Sequence, residues 1–227
     1  MIKSNSLKYQ LYLLSFSFLF SCSQNNYSPD NWTHFFDPCI EGGVHSITGS
    51  IHVLKQKQRN DCWFVCYAML RSWKDNQKYT YPEVLGKINN WDEQVKRNVG
   101  LYVSEQEQFF KDMNLGFYPP ANYTYEGFVE FLNLHGPLIV CMGGNINHAR
   151  ILYKIECGSL KSNTYFYLVN PDRGKFEKWN AYKFFESFES EAKVTVENHE
   201  KLSDEEKLTN PQMKEAWRNQ IIYIKTP

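Results

Sequence analysis

The sequence predicts an α+β fold in which helices come first and the strands of an antiparallel sheet follow. Two observations carry the prediction. In the first part of the chain, apolar residues recur at helical spacing in four segments, 62–73, 81–90, 104–114 and 125–134. In the later part, short apolar runs typical of buried strands occupy residues 138–142, 149–155, 165–169 and 221–224. Helices and strands grouped in blocks favour α+β over an alternating βαβ sheet.

The earliest elements surround the start of the first helix. Residues 50–54 alternate and are β-branched, which predicts a short strand. Asn60 and Asp61 then precede an uncharged apolar run, and both residue types are good helix N-caps. We therefore expect a buried helix that begins at or near Cys62.

Turn signals separate the later elements. Gly136 and Pro137 precede the strand at 138–142, and residues 158–163 form the turn between the next two strands. The Glu- and Lys-rich stretch over residues 186–207 is typical of a solvated helix or loop. The run at 221–224 then closes the sheet.

Length and composition support a packed core in one sizeable domain or two small ones, and they argue against a nucleic-acid partner. The 227 residues are 42% apolar and 16% aromatic, which is enough material for a hydrophobic core. Lys plus Arg equals Asp plus Glu, at 25 each, so no basic excess exists to bind a phosphate backbone.

The N-terminus has the pattern of an export signal. Lys3 and Lys8 give a positive start, and the uncharged apolar run Leu11–Phe20 is shorter than the roughly 20 residues that a transmembrane helix needs. The run ends in Leu-Phe-Ser-Cys, which resembles the bacterial lipobox and implies cleavage before Cys22 and acylation of that cysteine. An ordinary cleaved signal followed by an incidental cysteine is the alternative.

These features predict three parts: a signal peptide over residues 1–21, a lipidated tether over residues 22–45 and a folded domain over residues 46–227. The polar residues 23–31 suit a tether. We expect an exported monomer in the cell envelope, anchored to the membrane through Cys22.

The chain has six cysteines. With Cys22 acylated and Cys62 reserved for chemistry, the other four allow three pairings, and the sequence does not choose among them. They are Cys39, Cys66, Cys141 and Cys157. Cys62 and Cys66 share a helix face, but helical geometry does not suit a disulfide between them.

Four residues supply the groups that acyl transfer by a thiol requires. A thiolate nucleophile is favoured at a helix N-terminus, and Cys62 is expected at such a position. It is also favoured beside an imidazolium, which His148 would supply. Asn170 lies at the end of the strand after His148, where antiparallel pairing brings the two together and lets the amide orient the imidazole. The Gln56 amide and the Cys62 N–H are candidate donors to an oxyanion.

The same residues resemble the papain-like cysteine peptidases. Gln56 stands six residues before Cys62-Trp63, Gly136-Pro137 opens the strand before His148-Ala149, and Asn170-Pro171 follows the next strand. The details are most similar to the small bacterial branches, which include secreted effector proteases and the bacteriocin-processing type. The resemblance implies a papain-like fold, with a helical part that carries the nucleophile packed on an antiparallel sheet.

The resemblance also implies roles. Gln56 is expected as the oxyanion donor, Cys62 as the nucleophile, His148 as general base and acid, and Asn170 as the orienting residue. The implied activity is an exported peptidase that acts on a peptide or protein substrate. This chemistry needs neither a metal nor an organic cofactor, and the histidines show no metal-like spacing with each other or with cysteine.

Several alternatives stay open. Asp172 competes with Asn170 as the orienting residue, and Cys66 competes with Cys62 as the nucleophile. The family usually has small residues after Cys-Trp, whereas this chain has Phe64 and Val65. The same machinery would also suit an amidase or acyl transferase on cell-wall peptide, and a degenerate site would leave a catalytically inactive binding module.

Overall fold

The computed structural model describes residue 39 and residues 42–118, 123–142, 148–189 and 221–225. The helices are α1 (Cys62–Lys74), α2 (Tyr81–Leu85), α3 (Asp92–Lys96), α4 (Val103–Asp112), α5 (Tyr125–His135) and α6 (181–189). The strands are β1 (Gly43–Ser46), β2 (Leu115–Tyr118), β3 (Leu138–Met142), β4 (His148–Cys157), β5 (Tyr165–Asn170), β6 (Lys175–Asn180) and β7 (Ile221–Ile224). The predicted α+β class is therefore confirmed.

The seven strands form one antiparallel sheet, in which six have the order β2-β7-β3-β4-β5-β6 and β1 pairs with β4 beside β3. Strand β4 organises it. Its first half pairs with β3, its second half pairs with β1, and its other edge pairs with β5. Because β4 and β5 are antiparallel neighbours, His148 at the start of β4 and Asn170 at the end of β5 lie side by side at the same end of the two strands.

Both faces of the sheet are covered, which explains why its central strands read as continuous apolar runs. On β3, Ile139 packs with the side chains of α1, whereas Leu138 and Val140 pack with those of α5 and α6 on the other face. The core on the α5 and α6 face of the sheet is aromatic. The rings of Phe128, Phe166, Phe184 and Phe188 contact one another there, edge-on or stacked.

Helix α1 is buried nearly all round. It packs against β4, β3 and β7, and its residues 63–70 are all buried. A helix without a polar face needs such an environment, which accounts for the uncharged run that predicted it. Asp61 stands at the N-cap position, as expected, but its side chain makes no capping hydrogen bond.

The strand predicted over residues 50–54 is wrong. Those residues pair with none of the seven strands. Ile51 is buried, and Val53 and Leu54 pack partly buried against the α1 core, so the apolar alternation reflects an extended segment that covers the core. The helix predicted over 81–90 is also shorter, since α2 ends at Leu85 and a 3₁₀ turn follows at Asn89–Trp91.

Strands β1, β2 and β6 and the short helix α3 were not predicted. Strand β1 includes three residues, Gly43 to His45, of the predicted tether. Of the stretch 186–207, residues 186–189 belong to α6 and the rest lie outside the described residues. The predicted signal peptide, the Cys22 anchor and most of the tether also lie outside them. Within the described ranges, no helix has the length and apolar content needed to cross a bilayer.

A disulfide joins Cys39 to Cys157, two of the four cysteines whose pairing the sequence left open. It ties the segment before β1 to the end of β4 across 118 residues of sequence. Cys62, Cys66 and Cys141 remain thiols, as the helical spacing of the first two predicted for that pair.

Candidate active site

Cys62 is the first residue of α1 and lies beside the start of β4. Its side chain is half-buried, and the backbone N–H of Ala149, the residue after His148, forms a hydrogen bond to its thiol. Burial raises the pKa of the Cys62 thiol above its ordinary value, and the Asp61 charge adds to the rise. The backbone hydrogen bonds from Ala149 and Trp63 oppose that shift. The resting thiol is therefore protonated near neutral pH.

His148 and Asn170 are joined directly. The distance between His148 Nε2 and Asn170 Oδ1 is 2.9 Å, and Asn170 is only 4% exposed. Because a carboxamide oxygen only accepts, Nε2–H is the donor, which leaves Nδ1 with the lone pair of the neutral ring. Burial lowers the pKa of His148, and the hydrogen bond to Asn170 partly offsets this. The structure thus brings together the two predicted residues on antiparallel neighbours.

Asp172 and Asn170 are placed differently relative to the His148 imidazole. The backbone N–H of Asp172 donates to Asn170 Oδ1 at 3.0 Å, while its own carboxylate is exposed. That carboxylate raises the pKa of His148 through its charge. Of the two candidates for orienting the imidazole, only Asn170 is hydrogen-bonded to it.

The other face of the Asn170 amide is held by a residue that sequence reasoning missed. Asn170 Nδ2 donates to Glu177 Oε1 at 3.0 Å. Glu177 lies on β6 and also faces Arg150, whose Nε is 3.7 Å from Glu177 Oε2, an ion pair beyond hydrogen-bond length. The Arg150 guanidinium stacks over the Trp179 ring at 4.9 Å. A signal for Arg150 was present, because it stands two residues after His148 and so shares its strand face.

Gln56 lies in the loop before α1, with its amide directed into that loop. Its Nε2 donates to the Gln58 carbonyl at 3.0 Å and to the Arg59 carbonyl at 3.3 Å. Its Oε1 is buried and has no hydrogen-bond partner among the described residues. Its backbone N–H donates to the Pro171 carbonyl at 2.8 Å, which ties the loop to the turn after Asn170. Gln56 is therefore placed beside the His148–Asn170 pair, with its donors engaged locally.

The loop of residues 55–61 is shaped by the buried carboxylate of Asp61. Its Oδ2 accepts from the backbone N–H groups of Lys57 and Gln58, at 3.1 and 3.2 Å, and from the Tyr81 hydroxyl at 2.7 Å. Burial and this carboxylate raise the pKa of Tyr81. The carboxylate beside Cys62 thus holds the loop in shape, which the sequence did not reveal.

The bulky residues after Cys62-Trp63 do not enter a cleft. Phe64 and Val65 are fully buried in the core beneath α1, and the Phe64 ring packs edge-on against Tyr81. Cys66 is also fully buried, and burial raises the pKa of its thiol well above the ordinary value. The alternative nucleophile is thus enclosed in the core.

A cavity of about 580 Å³ opens beside these groups. His148, Asn170 and Gln56 line it, whereas Cys62 is not among its lining residues. The remaining lining residues are Lys55, Lys57, Gln58, Arg59, Arg150, Asp172 and Arg173. The cavity therefore lies on the imidazole side of the thiol.

One group of possible metal ligands occurs among the described residues, although the spacing of the histidines did not suggest it. Ligand atoms of Cys39, His45 and Cys157 lie within 4.8 Å of one another. Both sulfurs belong to the disulfide, so thiolate ligands are not available there.

Comparison with known protein families decides which family the chain belongs to. Residues 45–191, more than half of the chain, match the family described as papain-like cysteine protease AvrRpt2. The chain belongs to this family. It is accordingly a papain-like cysteine peptidase, which confirms the resemblance carried by its motifs. A search of curated proteins finds no match.

Proposed function

We propose that this papain-like peptidase cleaves peptide bonds with Cys62 as nucleophile, His148 as base and acid, and Asn170 as the orienting residue. One observation carries the proposal. The 2.9 Å contact between His148 and Asn170 lies at the strand end whose next residue, Ala149, donates to the Cys62 thiol. All these groups belong to one chain, which supports a monomeric enzyme.

The mechanism follows from the protonation states. Burial raises the pKa of Cys62 and lowers that of His148, so thiol and imidazole are both neutral at rest. His148 Nδ1 takes the thiol proton as sulfur attacks the carbonyl carbon, and the C=O electron pair moves onto oxygen. The imidazolium then gives its proton to the leaving amine. Water hydrolyses the resulting thioester with His148 again as base.

The tetrahedral intermediate needs donors for its negative oxygen. The Cys62 backbone N–H at the start of α1 is one. Gln56 Nε2 is the other, since its 3.3 Å bond to the Arg59 carbonyl is long and exposed and is exchanged for the oxyanion when substrate binds. Asp61 supports this role by fixing the loop that carries Gln56.

Glu177 acts as a positioning residue. By accepting from Asn170 Nδ2, it fixes which end of the amide faces His148, so that Oδ1 receives the imidazole N–H. Arg150 compensates the buried carboxylate of Glu177. The proposed triad thus rests on a fourth side chain from the next strand.

Peptide cleavage by the full-length chain, followed by mass spectrometry of the products, tests the proposal. Cys62→Ala should lose activity by at least about a thousandfold, whereas Cys66→Ala, a matched change of a buried thiol in the same helix, should keep it. A Cys62→Ala protein as active as the unmodified chain would refute the assignment. Products that incorporate an added amine would identify an acyl transferase. Cleavage of amide bonds in cell-wall fragments, with no cleavage of other peptides, would identify an amidase.

We further propose an envelope location with Cys22 acylated and residues 1–21 removed, on the strength of the apolar run and the lipobox-like sequence. Metabolic labelling with a radioactive fatty acid tests it. The unmodified chain should incorporate label, and Cys22→Ser should not. Equal labelling of both proteins would exclude this anchor.

A further inference from the structure

The cavity beside His148 carries an uneven set of charges. Among the described residues, its lining includes five cationic side chains and one carboxylate, that of Asp172. Arg150 is compensated by Glu177 and stacked on Trp179, so it adds little to the field inside the cavity. Four cations then face one carboxylate across the opening. They are Lys55, Lys57, Arg59 and Arg173.

These four cations have no carboxylate partner among the residues that the structure describes. Lys55, Arg59 and Arg173 take part in no ion pair there, although Lys96 and Lys178 on other surfaces do. Lys57 lies over the Tyr81 ring, at 4.7 Å from its centroid, which leaves its charge without a counter-ion in that part of the chain. A group of like charges held together without partners raises the local potential and attracts an anionic ligand.

The group is built into the fold. The loop of residues 55–61 and the turn of residues 170–174 form the two rims, and the hydrogen bond from Gln56 N to the Pro171 carbonyl joins them. Gly174, at φ +60°, lets the turn approach closely, because a Cβ there would lie 2.7 Å from Lys55 Cβ. Lys55 and Arg173 are thus held on facing rims of one opening.

The position of the cavity tells which part of a substrate enters it. His148 lines the cavity and Cys62 does not. In the proposed mechanism His148 protonates the leaving amine, so the peptide that continues from that nitrogen runs past the imidazole. The cavity therefore receives the leaving-group side of the substrate.

We propose that this peptidase selects substrates with a carboxylate on the leaving-group side of the cleaved bond, bound between Lys55, Arg59 and Arg173. The inference rests on the proposed function of the same site. The carboxylate comes either from an Asp or Glu side chain or from a free peptide C-terminus, since both present the same group to a guanidinium or ammonium ion.

Cleavage of a peptide library derived from a proteome digest tests the selection. Asp and Glu should be enriched about fivefold within the few positions after the cleaved bond, with no such enrichment before it. Amidation of the library separates the two sources. Enrichment that persists after amidation identifies side-chain carboxylates, and cleavage near peptide ends that disappears with amidation identifies the C-terminal carboxylate.

Binding to the full-length Cys62→Ala protein gives a second readout that does not depend on turnover. Two fluorescein-labelled octapeptides of alanine and glycine are compared by anisotropy, one with two glutamates near its C-terminus and one with glutamines. The glutamate peptide should bind at least about fivefold more tightly, and about 0.5 M salt should remove most of the difference.

Charge reversal identifies the residues. The double variant Lys55→Glu/Arg173→Glu should lose the preference for glutamate in both assays. Lys74→Glu/Lys78→Glu is the matched control and should keep it, because Lys74 ends α1, about 18 Å along the helix axis from Cys62, and Lys78 lies beyond that end. Equal binding of the two octapeptides would overturn the inference, as would a preference that survives in the double variant. Binding of both proteins to vesicles of anionic lipid is measured as well. If the double variant loses binding to the vesicles but keeps its preference for the glutamate peptide, the inference is overturned.

The two possible failures can be told apart. If no peptide is cleaved in a manner that depends on Cys62, the proposed function fails, while the anisotropy measurement still decides whether the cavity binds carboxylates. If cleavage depends on Cys62 but shows no acidic preference, the function stands and this inference is wrong.

Discussion

The strand pair β4–β5 and the loop of residues 55–61 bring groups to the same cavity, but they are held in place in different ways. His148 and Asn170 meet because two paired strands end side by side, so many backbone hydrogen bonds fix their separation. The loop has no regular structure, and one buried carboxylate, that of Asp61, accepts three of the hydrogen bonds that shape it. The first arrangement is redundant and the second depends on a single side chain.

The difference predicts that the loop is the more fragile of the two. Asp61→Ala should lower the free energy of unfolding by about 3 kcal/mol, because it removes charged hydrogen bonds and leaves donors of the loop unpaired. It should also lower kcat/KM on the order of 10²–10³-fold, since Gln56 loses its support. Urea denaturation and peptide cleavage measure the two effects.

Tyr81→Phe provides the graded companion, since it removes only one of the three donors to Asp61. We expect it to cost about 1 kcal/mol of stability and to retain most of the activity. Similar losses in both variants, or full activity in Asp61→Ala, would show that this carboxylate does not hold the loop.

Asn170→Ala should act mainly on activity. The strands remain paired through their backbones, while kcat falls about a hundredfold because the imidazole loses its orienting acceptor. Stability should fall by about 1–2 kcal/mol, because Glu177 Oε1 and the Asp172 N–H lose their partner. Asn170→Asp is the matched variant, since it keeps an acceptor for His148. Wild-type kcat in Asn170→Ala would remove Asn170 from the proposed triad.

Glu177 sharpens the comparison further, because its effect passes through Asn170. Glu177→Ala should lower kcat about tenfold with KM little changed, and Glu177→Gln, which still accepts from Asn170 Nδ2, should recover most of the loss. Because Glu177 raises the pKa of His148 by its charge, both variants should move the acidic limb of the rate profile to lower pH. A purely structural role would lower stability and leave that limb in place.

The smallest effect is expected from pH alone. Burial depresses the pKa of His148, so the rate should rise through a pKa below the ordinary value of about 6.5. Asp172→Asn removes a charge that raises this pKa and should therefore move the limb to lower pH. The unfolded chain binds this proton more readily, so the stability due to neutral His148 is present above about pH 6.5 and is lost as pH falls through the folded pKa. A limb at or above the ordinary value would contradict the burial argument.

The parts of the molecule that the sequence predicted are those that local pattern determines. The uncharged run from Cys62 gave α1, and the short apolar runs gave β3, β4, β5 and β7, because buried elements need apolar residues throughout. The pairing of His148 with Asn170 followed from their places at the ends of neighbouring strands.

The parts that escaped prediction depend on partners distant in sequence. Residues 50–54 alternate like a strand, but their apolar side chains pack against the α1 core and their backbone pairs with none of the seven strands. Glu177 resembles any surface glutamate until β6 pairs with β5 and brings it to Asn170. Asp61 reads as a helix cap, and only the fold shows that its carboxylate turns to the loop and Tyr81.

The central claim is that His148 takes the proton of Cys62, and site-resolved alkylation by iodoacetamide tests it most directly. We measure the labelling rate of Cys62 by mass spectrometry across pH in the unmodified chain and in His148→Gln, with fully buried Cys66 as the internal reference. In the unmodified chain, the labelling rate of Cys62 should rise with pH as His148 loses its proton. Near neutral pH, the rate should be about tenfold lower in His148→Gln than in the unmodified chain. Identical pH profiles for Cys62 in the two proteins would contradict it.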